Sequence, residues 1–248
     1  MLQAGGLSKS VGGLQALADL LFSVEIGQVF GLIGPNGSGK TTTINVLTGI
    51  YPATSGSVKL GGRELIGAPP NVIARAGVAR TFQNLRLFTG RSVLDNVRAA
   101  QTAGSRSLLT RFSAFPMAEE RALRAEAMAL LQRLALGARA DWPASALSYG
   151  EKKRLEIARA LALRPKILLL DEPAAGMNPV ELEWLMKIIQ DIALSGVGVV
   201  LIEHHMKLVM NVCDRIAVLN FGRKIAEGSP TQVARDPAVV EAYLGKAD

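Results

Sequence analysis

The stretch GPNGSGKT at residues 34–41 decides the fold, because it matches the pattern G-x-x-x-x-G-K-[S/T] in full. The apolar run VFGLIG before it is typical of a short buried strand, and TTTINVLTGI after it has the apolar spacing of a helix. A Gly-rich loop between a strand and a helix lets backbone N–H groups surround phosphate groups. We therefore expect an α/β fold built around a phosphate-binding loop, or P-loop.

Each residue of this loop, together with the next one, is a candidate ligand of a nucleotide. Lys40 would bring a fixed positive charge to the β- and γ-phosphates, and the Thr41 hydroxyl would hold Mg²⁺. The full set of expected ligands is Gly34, Pro35, Asn36, Gly37, Ser38, Gly39, Lys40, Thr41 and Thr42.

The stretch ILLLDEP at residues 167–173 places two acids at the end of an apolar strand. Asp171 could hold the Mg²⁺ shell, and Glu172 could orient or deprotonate an attacking water. Two acids that only cap a strand are the alternative, and the P-loop earlier in the chain favours the functional interpretation. The N-K-x-D motif of GTPases does not follow any predicted strand.

The remaining segments predict a mixed architecture. Two strands flank a turn at Ile26–Gly27, and SGSVKLGGREL predicts a hairpin. Residues 92–163 are mostly helical in pattern, after which KILLLDEP and VGVVLIEH are typical of buried parallel strands separated by a helix. Asn178 is a good cap for that helix, and the stretch at 214–228 predicts a final hairpin before a short C-terminal helix.

The stretch LSYGE at residues 147–151 predicts a second helix start that could attract phosphate. Its Ser and Gly precede the helical pattern KKRLEIARALAL, and unpaired N–H groups at a helix start favour an anion. An ordinary capped helix is the alternative.

Composition and charge limit the classes of protein. The chain is 49% hydrophobic with 5% aromatic residues, which suits a packed α/β domain, and no apolar run is long enough to span a membrane. The single Cys213 fits a reducing compartment, so we expect a cytoplasmic protein. The net charge is +7, with 17 of the 28 Lys and Arg residues between Arg75 and Lys166. Solvated helix faces explain this excess as well as a partner of negative charge, either nucleic acid or a membrane surface.

Together these motifs resemble the ATP-binding cassette (ABC) family. LSYGE is similar to its signature motif L-S-G-G-Q, and it keeps Ser148 and Gly150 while Tyr149 and Glu151 depart from it. Gln83 in ARTFQNL matches the glutamine loop, His204 in LIEHHM matches the switch histidine, and AAGMNP matches the D-loop region.

The resemblance implies ATP as the ligand and Mg²⁺ as its metal. Thr41, Gln83 and Asp171 would hold the Mg²⁺. Glu172, Gln83 and His204 would be the catalytic residues, with Gln83 and His204 sensing the γ-phosphate. Two cassettes would pair head-to-tail, so that Ser148 and Gly150 of one chain contact the nucleotide in the P-loop of the other.

Three positions depart from the family pattern. Val11 stands where an aromatic residue commonly stacks on adenine, so it would offer the base only apolar contact. His205 replaces an acid and is expected at the surface. Asn178 replaces the D-loop acid, and either a D-loop role or a plain helix cap explains it.

The resemblance also implies a domain layout. One ABC ATPase domain would span residues 1–248. Its nucleotide-binding core, with a mostly parallel sheet and an N-terminal antiparallel β subdomain, would occupy residues 1–83 and 165–248. A helical subdomain with the signature motif would be inserted at residues 84–164.

Within the family, RTFQNLRLF, DEPAAGMNP, IEHHMKLVM and the terminal EAYLG are similar to ATP-binding subunits of branched-chain amino-acid importers. This implies a second cassette chain, two membrane permease subunits and, indirectly, an extracytoplasmic solute-binding protein. The chain would lie on the inner face of the cell membrane. Importers of urea or short amides are the nearest alternative.

Other classes of cassette protein fit less well. DNA-maintenance cassettes carry a long coiled coil and ribosome-acting ones carry two cassettes, so nucleic acid is not an expected partner despite the basic charge. Exporters often fuse a membrane domain, which this sequence does not contain. A binding module with little hydrolysis is disfavoured by Glu172.

Overall fold

The computed structural model describes residues 1–83, 85–104 and 116–244. Asn84 and residues 105–115 of the predicted helical subdomain, and Gly245 of the terminal motif, lie outside the described residues.

Ten strands and nine α-helices make up the described part of the chain. The strands are β1 (Leu2–Val11), β2 (Leu14–Val24), β3 (Val29–Ile33), β4 (Ser55–Leu60), β5 (Arg63–Glu64), β6 (Val78–Arg80), β7 (Ile167–Asp171), β8 (Gly198–Ile202), β9 (Arg215–Asn220) and β10 (Arg223–Gly228). The helices are α1 (Lys40–Leu47), α2 (Pro70–Ala76), α3 (Val93–Gly104), α4 (Pro116–Arg133), α5 (Tyr149–Ala162), α6 (Pro179–Leu194), α7 (Met206–Val212), α8 (Pro230–Val233) and α9 (Pro237–Leu244).

The N-terminal sheet is antiparallel, with strand order β2-β1-β4-β5. Its first hairpin turns at Gly12 and Gly13, which have φ values of 54° and 84° and so use the left-handed conformation that glycine tolerates. The sequence did not predict this hairpin. It did identify the two strands around Ile26–Gly27, and these prove to lie in different sheets, β2 in this one and β3 in the other.

The second sheet carries the P-loop and is parallel except at one edge. Its order is β10-β9-β3-β8-β7-β6, and only β9 and β10 run antiparallel. The predicted α/β class with a mostly parallel sheet is therefore confirmed. Because β3, β7 and β8 are neighbours, the loops that follow them meet at the carboxyl end of the sheet.

Two hydrophobic clusters cover the two faces of the parallel sheet. Leu168 and Leu170 of β7 join the cluster that contains the helices α3 to α7, whereas Ile167 and Leu169 join the cluster that faces α1 and the antiparallel sheet. This alternation is what a strand buried on both faces requires. The first cluster is continuous from the sheet into the helical segment.

Helices α3, α4 and α5 occupy the segment that the sequence predicts to be helical. Its division into a separate subdomain remains a prediction. Within the described ranges, no helix combines the length and apolar character that crossing a membrane requires.

Candidate active site

The P-loop follows β3 and lies so close to its neighbours at Gly34 and Gly39 that a side chain is excluded at both positions. A Cβ atom on Gly34 would lie 2.1 Å from the carbonyl oxygen of Leu219, and one on Gly39 would lie 2.8 Å from that of Ala16. Gly39 also has a φ of 106°, which L side chains rarely adopt. The glycines are therefore needed by the local backbone, and they leave the N–H groups of the loop free of side-chain cover.

Lys40 begins α1 and folds back over the loop. Its Nζ donates to the carbonyl oxygens of Gly34 at 2.8 Å and Pro35 at 2.9 Å. Burial lowers the pKa of this ammonium group, and the nearby carboxylates of Glu172 and Asp171 act in the opposite direction. The site thus holds a cation and two acids within electrostatic reach of one another.

A cavity of about 310 Å³ opens beside the loop. It is lined by Leu14, Gln15, Ala16, residues 36–42, Glu172, Phe221 and Gly222. No residue of α5 is among these lining residues in the described part of the chain. Ser148 and Gly150 therefore do not close the cavity of their own chain.

Glu172 lies at the cavity, immediately after β7. Its φ of 47° places a non-glycine residue in the left-handed region, a conformation of the kind that costs about 1–3 kcal/mol and is concentrated at functional sites. The Gln83 side-chain nitrogen Nε2 donates to Glu172 Oε2 at 2.8 Å, and His204 Nδ1 lies 3.9 Å from Oε1. The structure thus brings together the three residues that were predicted to be catalytic, from three different loops.

Asp171 ends β7 and has a partner that the sequence analysis missed. Arg80 Nη2 on β6 donates to Asp171 Oδ2 at 2.7 Å, and both side chains are almost completely buried. Arg80 Nη1 also donates to Asn45 Oδ1 on α1 at 2.7 Å. This guanidinium neutralises the buried carboxylate and ties the P-loop helix to β6. The sequence feature that could have indicated this role is the position of Arg80 in ARTFQNL, three residues before Gln83.

The signature stretch starts α5 with a complete capping box, and Glu151, one of its two departures from the family pattern, contributes to it. Ser148 Oγ accepts from the Glu151 backbone N–H at 3.2 Å, and Glu151 Oε2 accepts from the Ser148 N–H at 2.9 Å. Glu151 also pairs with Arg139. The hydrogen bond from the Ser148 backbone, with the charge of Arg139, lowers the pKa of Glu151.

The other departure, Tyr149, packs against the D-loop region. A Cβ atom on Gly176 would lie 3.1 Å from the Tyr149 ring, and one on Gly150 would lie 2.1 Å from Glu181 Oε1. Glu181 completes the capping box of Asn178 at the start of α6, so the helix-cap interpretation of Asn178 is confirmed. The starts of α5 and α6 are therefore in direct contact.

Comparison with known proteins agrees with this geometry. The family described as ABC transporter matches residues 17–175. The chain belongs to the ABC transporter family. A second family, described as branched-chain amino acid ATP-binding cassette transporter, matches residues 223–248.

Two curated relatives resemble this ABC cassette over its whole length. The high-affinity branched-chain amino acid transport ATP-binding protein BraF of Pseudomonas aeruginosa is 45% identical, and LivG of Escherichia coli, of the same description, is 43% identical. In both cases the match covers 100% of this chain and 98% of the relative.

Solved cassettes have the same fold. A cassette in its ADP conformation superposes with a TM-score of 0.87 at 33% identity, covering 99% of each chain. A dimeric cassette bound to ADP and Pi after hydrolysis superposes with a TM-score of 0.79 at 25% identity, covering 93% of this chain and 99% of that one.

The inner face of α5 holds the glutamine loop of the cassette, a contact that the sequence analysis did not predict. Glu156 Oε1 accepts from the Phe82 N–H at 3.0 Å, and Lys153 Nζ donates to the Gln83 carbonyl oxygen at 3.2 Å. Glu156 and Lys153 are buried, at 5% and 3% exposure. The signature helix and the glutamine loop are therefore linked by two charged side chains, and their burial restricts how far they can move.

The remaining predicted positions are exposed. Val11 ends β1 at 56% exposure and does not line the described cavity, whereas the aromatic residue that does line it is Phe221. A contact of Val11 with adenine remains a prediction. His205 is exposed just before α7, as expected.

Proposed function

We propose that this chain is the ATP-hydrolysing subunit of an importer for branched-chain or other hydrophobic amino acids. The observation that carries the solute class is the match of residues 223–248 to the branched-chain cassette family, in a chain that also aligns end to end with BraF and LivG. Hydrolysis itself is supported by the contact of Gln83 with Glu172, which lines the P-loop cavity.

In the proposed reaction, the P-loop amides and Lys40 bind the triphosphate, and Glu172 accepts the proton of the attacking water. Gln83 orients that carboxylate through one oxygen. The left-handed backbone of Glu172 directs its side chain into the cavity rather than along β7. His204 stands beside the other carboxylate oxygen, where it would contact the γ-phosphate.

The residues present suit Mg²⁺. Thr41 lines the cavity, Asp171 and Gln83 each offer a hard oxygen ligand, and such a set with two phosphate oxygens is typical of this ion. Among the described residues, no group of three or more His, Cys, Asp or Glu side chains is arranged to hold a metal without a nucleotide. When bound, Mg²⁺ would neutralise charge on the β- and γ-phosphates.

We further propose that two cassette chains complete each other's sites. The P-loop cavity has no wall from α5 in the described chain, while the positive end of the α5 dipole begins at Ser148. A second chain would supply this helix start, with Gly150 allowing close approach. The pair would open when hydrolysis removes the shared phosphate.

The permease partners would dock on the helical segment, on the inner face of the membrane. A groove of about 450 Å³ there is lined by Phe88, Arg91, Asp95, Arg98, Ala99 and Thr102, close in sequence to Gln83. Part of the basic excess is neutralised within the chain, because Arg98 pairs with Glu120 and Arg164 with Glu126. This weakens the case for a nucleic-acid partner.

Two experiments test this function. Capture of the tagged chain from gently solubilised native cells should recover two permeases, a second cassette chain and the solute-binding protein. Uptake of labelled leucine should then be lost on deletion and restored by the wild-type chain but not by Glu172→Gln. Lost uptake of urea or an amide with normal leucine uptake would favour the alternative solute class, and recovery of ribosomes or nucleic acid alone would contradict an importer.

A further inference from the structure

The carboxylate of Glu203, which follows β8 and precedes His204, is buried at 1% exposure. A buried carboxylate is stable only if its oxygens accept hydrogen bonds. Oε1 accepts from the Ala174 N–H at 2.8 Å, and Oε2 accepts from the His204 and His205 N–H groups at 3.1 Å and 3.2 Å. All three donors are backbone groups, so Glu203 fixes main chain rather than side chains.

Glu203 thereby joins two loops that both carry predicted catalytic residues. One loop leaves β7 with Glu172 and reaches Ala174, and the other leaves β8 with His204. Where β7 and β8 end, the two loops are joined by the Glu172 N–H, which donates to the Ile202 carbonyl oxygen at 3.0 Å. Glu203 adds a second connection beyond the sheet.

Among the residues that the structure describes, none gives the His204 side chain comparable support. Its ring is 66% exposed, and Nδ1 lies 3.9 Å from Glu172 Oε1 and 4.0 Å from Glu203 Oε2, both longer than a hydrogen bond. The reach of the His204 ring toward Glu172 is therefore limited by where the His204 backbone is held.

We infer that Glu203 is a positioning residue that holds the His204 backbone against the Glu172 loop, so that the histidine faces the γ-phosphate when hydrolysis occurs. This inference rests on the proposed function for its kinetic consequence. The backbone connection itself does not depend on hydrolysis.

The decisive variant is Glu203→Gln, because an amide keeps one acceptor oxygen but replaces the other with a donor. Its one oxygen can accept from the Ala174 N–H or from the His204 and His205 N–H groups, but not from both sets. We expect kcat for Mg-ATP hydrolysis to fall by about tenfold or more, with KM within about threefold of wild type. Glu203→Gln combined with His204→Ala should be no slower than His204→Ala alone, since each change removes the contact of the His204 ring with the γ-phosphate.

Glu64→Gln is the matched control. Glu64 Oε1 also accepts three backbone N–H groups, from Val58, Leu65 and Ile66, but in the antiparallel sheet away from the cavity. Because Oε1 alone accepts all three, an amide can keep every bond there, so both stability and kcat should stay close to those of wild type. A normal kcat in Glu203→Gln, or losses that multiply in the double variant, would overturn the inference.

Amide hydrogen exchange tests the connection independently of activity. In the nucleotide-free full chain, either the Ala174 amide or the His204 and His205 amides should exchange at least about tenfold faster in Glu203→Gln than in wild type, with β8 amides unchanged. Unchanged protection would overturn the inference even if hydrolysis were impaired. An inactive wild type would instead contradict the proposed function and leave this measurement decisive for Glu203.

Discussion

The side-chain nitrogen of Gln83 donates to Glu172 Oε2 at 2.8 Å, although the two residues are 89 positions apart in the chain. Gln83 follows the edge strand β6 and Glu172 follows β7, so the parallel pairing of these strands brings the two side chains together. The bond leaves Glu172 Oε1 on the side of His204. One oxygen is thus used for orientation and the other is available to a water.

Replacing Glu172 with Gln should separate binding from hydrolysis. The amide has nearly the same shape but cannot accept a proton, so kcat should fall at least about a hundredfold while Mg-ATP still binds. The nucleotide-bound dimer should then persist, as measured by light scattering after gel filtration. Glu183→Gln, an exposed change on α6, is the control. A Glu172→Gln chain that binds Mg-ATP but stays monomeric at all concentrations would contradict the shared-site mechanism, or show that the permeases are needed for pairing.

Gly150→Ala tests the contact between α5 and α6. In an open helix this change would stabilise the chain by up to about 1 kcal/mol. Here the new Cβ would lie 2.1 Å from Glu181 Oε1, so the carboxylate must move and would lose the hydrogen bond that its Oε2 accepts from the Asn178 N–H, a loss of about 0.5–1.5 kcal/mol. We therefore expect a lower melting temperature and slower ATP hydrolysis.

Gly90→Ala is the matched control for that prediction, because a Cβ atom there would meet nothing within 4 Å and the backbone needs no left-handed φ. It should leave both the melting temperature and the rate of ATP hydrolysis unchanged. A Gly150→Ala melting temperature at or above that of wild type would show that the clash is relieved without moving the cap.

The sequence predicted the parts of the site that are local in the chain. The P-loop, the acids after β7 and the Asn178 cap each depend on residues within a few positions, and their spacing is enough to identify them. Arg80, Glu156 and Glu203 were missed because their roles depend on partners 91, 74 and 29 residues away. The separation of β2 and β3 into two sheets was missed for the same reason, because β3 pairs with β8 and β9, which come much later in the chain.

Val11→Tyr tests the position where the family commonly has an aromatic residue. Val11 is exposed, so a ring there would have room, and stacking on adenine should add about 0.5–1.5 kcal/mol. Binding of Mg-ATP should tighten about two- to tenfold, whereas inorganic tripolyphosphate, which has no base, should bind unchanged. Calorimetric titration measures both. Equal changes for the two ligands would place Val11 outside the base site.

Glu156→Gln should change how stability depends on pH. Burial raises the pKa of Glu156, while the Phe82 N–H, Lys153 and Arg159 oppose the shift. Between the unfolded and the raised folded pKa, the native state binds more protons than the unfolded state, so stability falls as pH rises through this window. The Gln variant keeps an acceptor for Phe82 and does not titrate. Its free energy of unfolding relative to wild type should therefore rise through this window and then become constant.

Glu151→Gln, in the same helix, should change the pH dependence of stability in the opposite direction, because the pKa of Glu151 is lowered. The stability that Glu151 contributes is present above its unfolded pKa and is lost as pH falls through the lowered folded value. Urea unfolding from about pH 3 to 7 should thus show the two variants diverging from wild type in opposite directions as pH rises. Parallel curves would mean that Lys153 and Arg159 outweigh burial, and that Glu156 holds the glutamine loop as a stabilising charge.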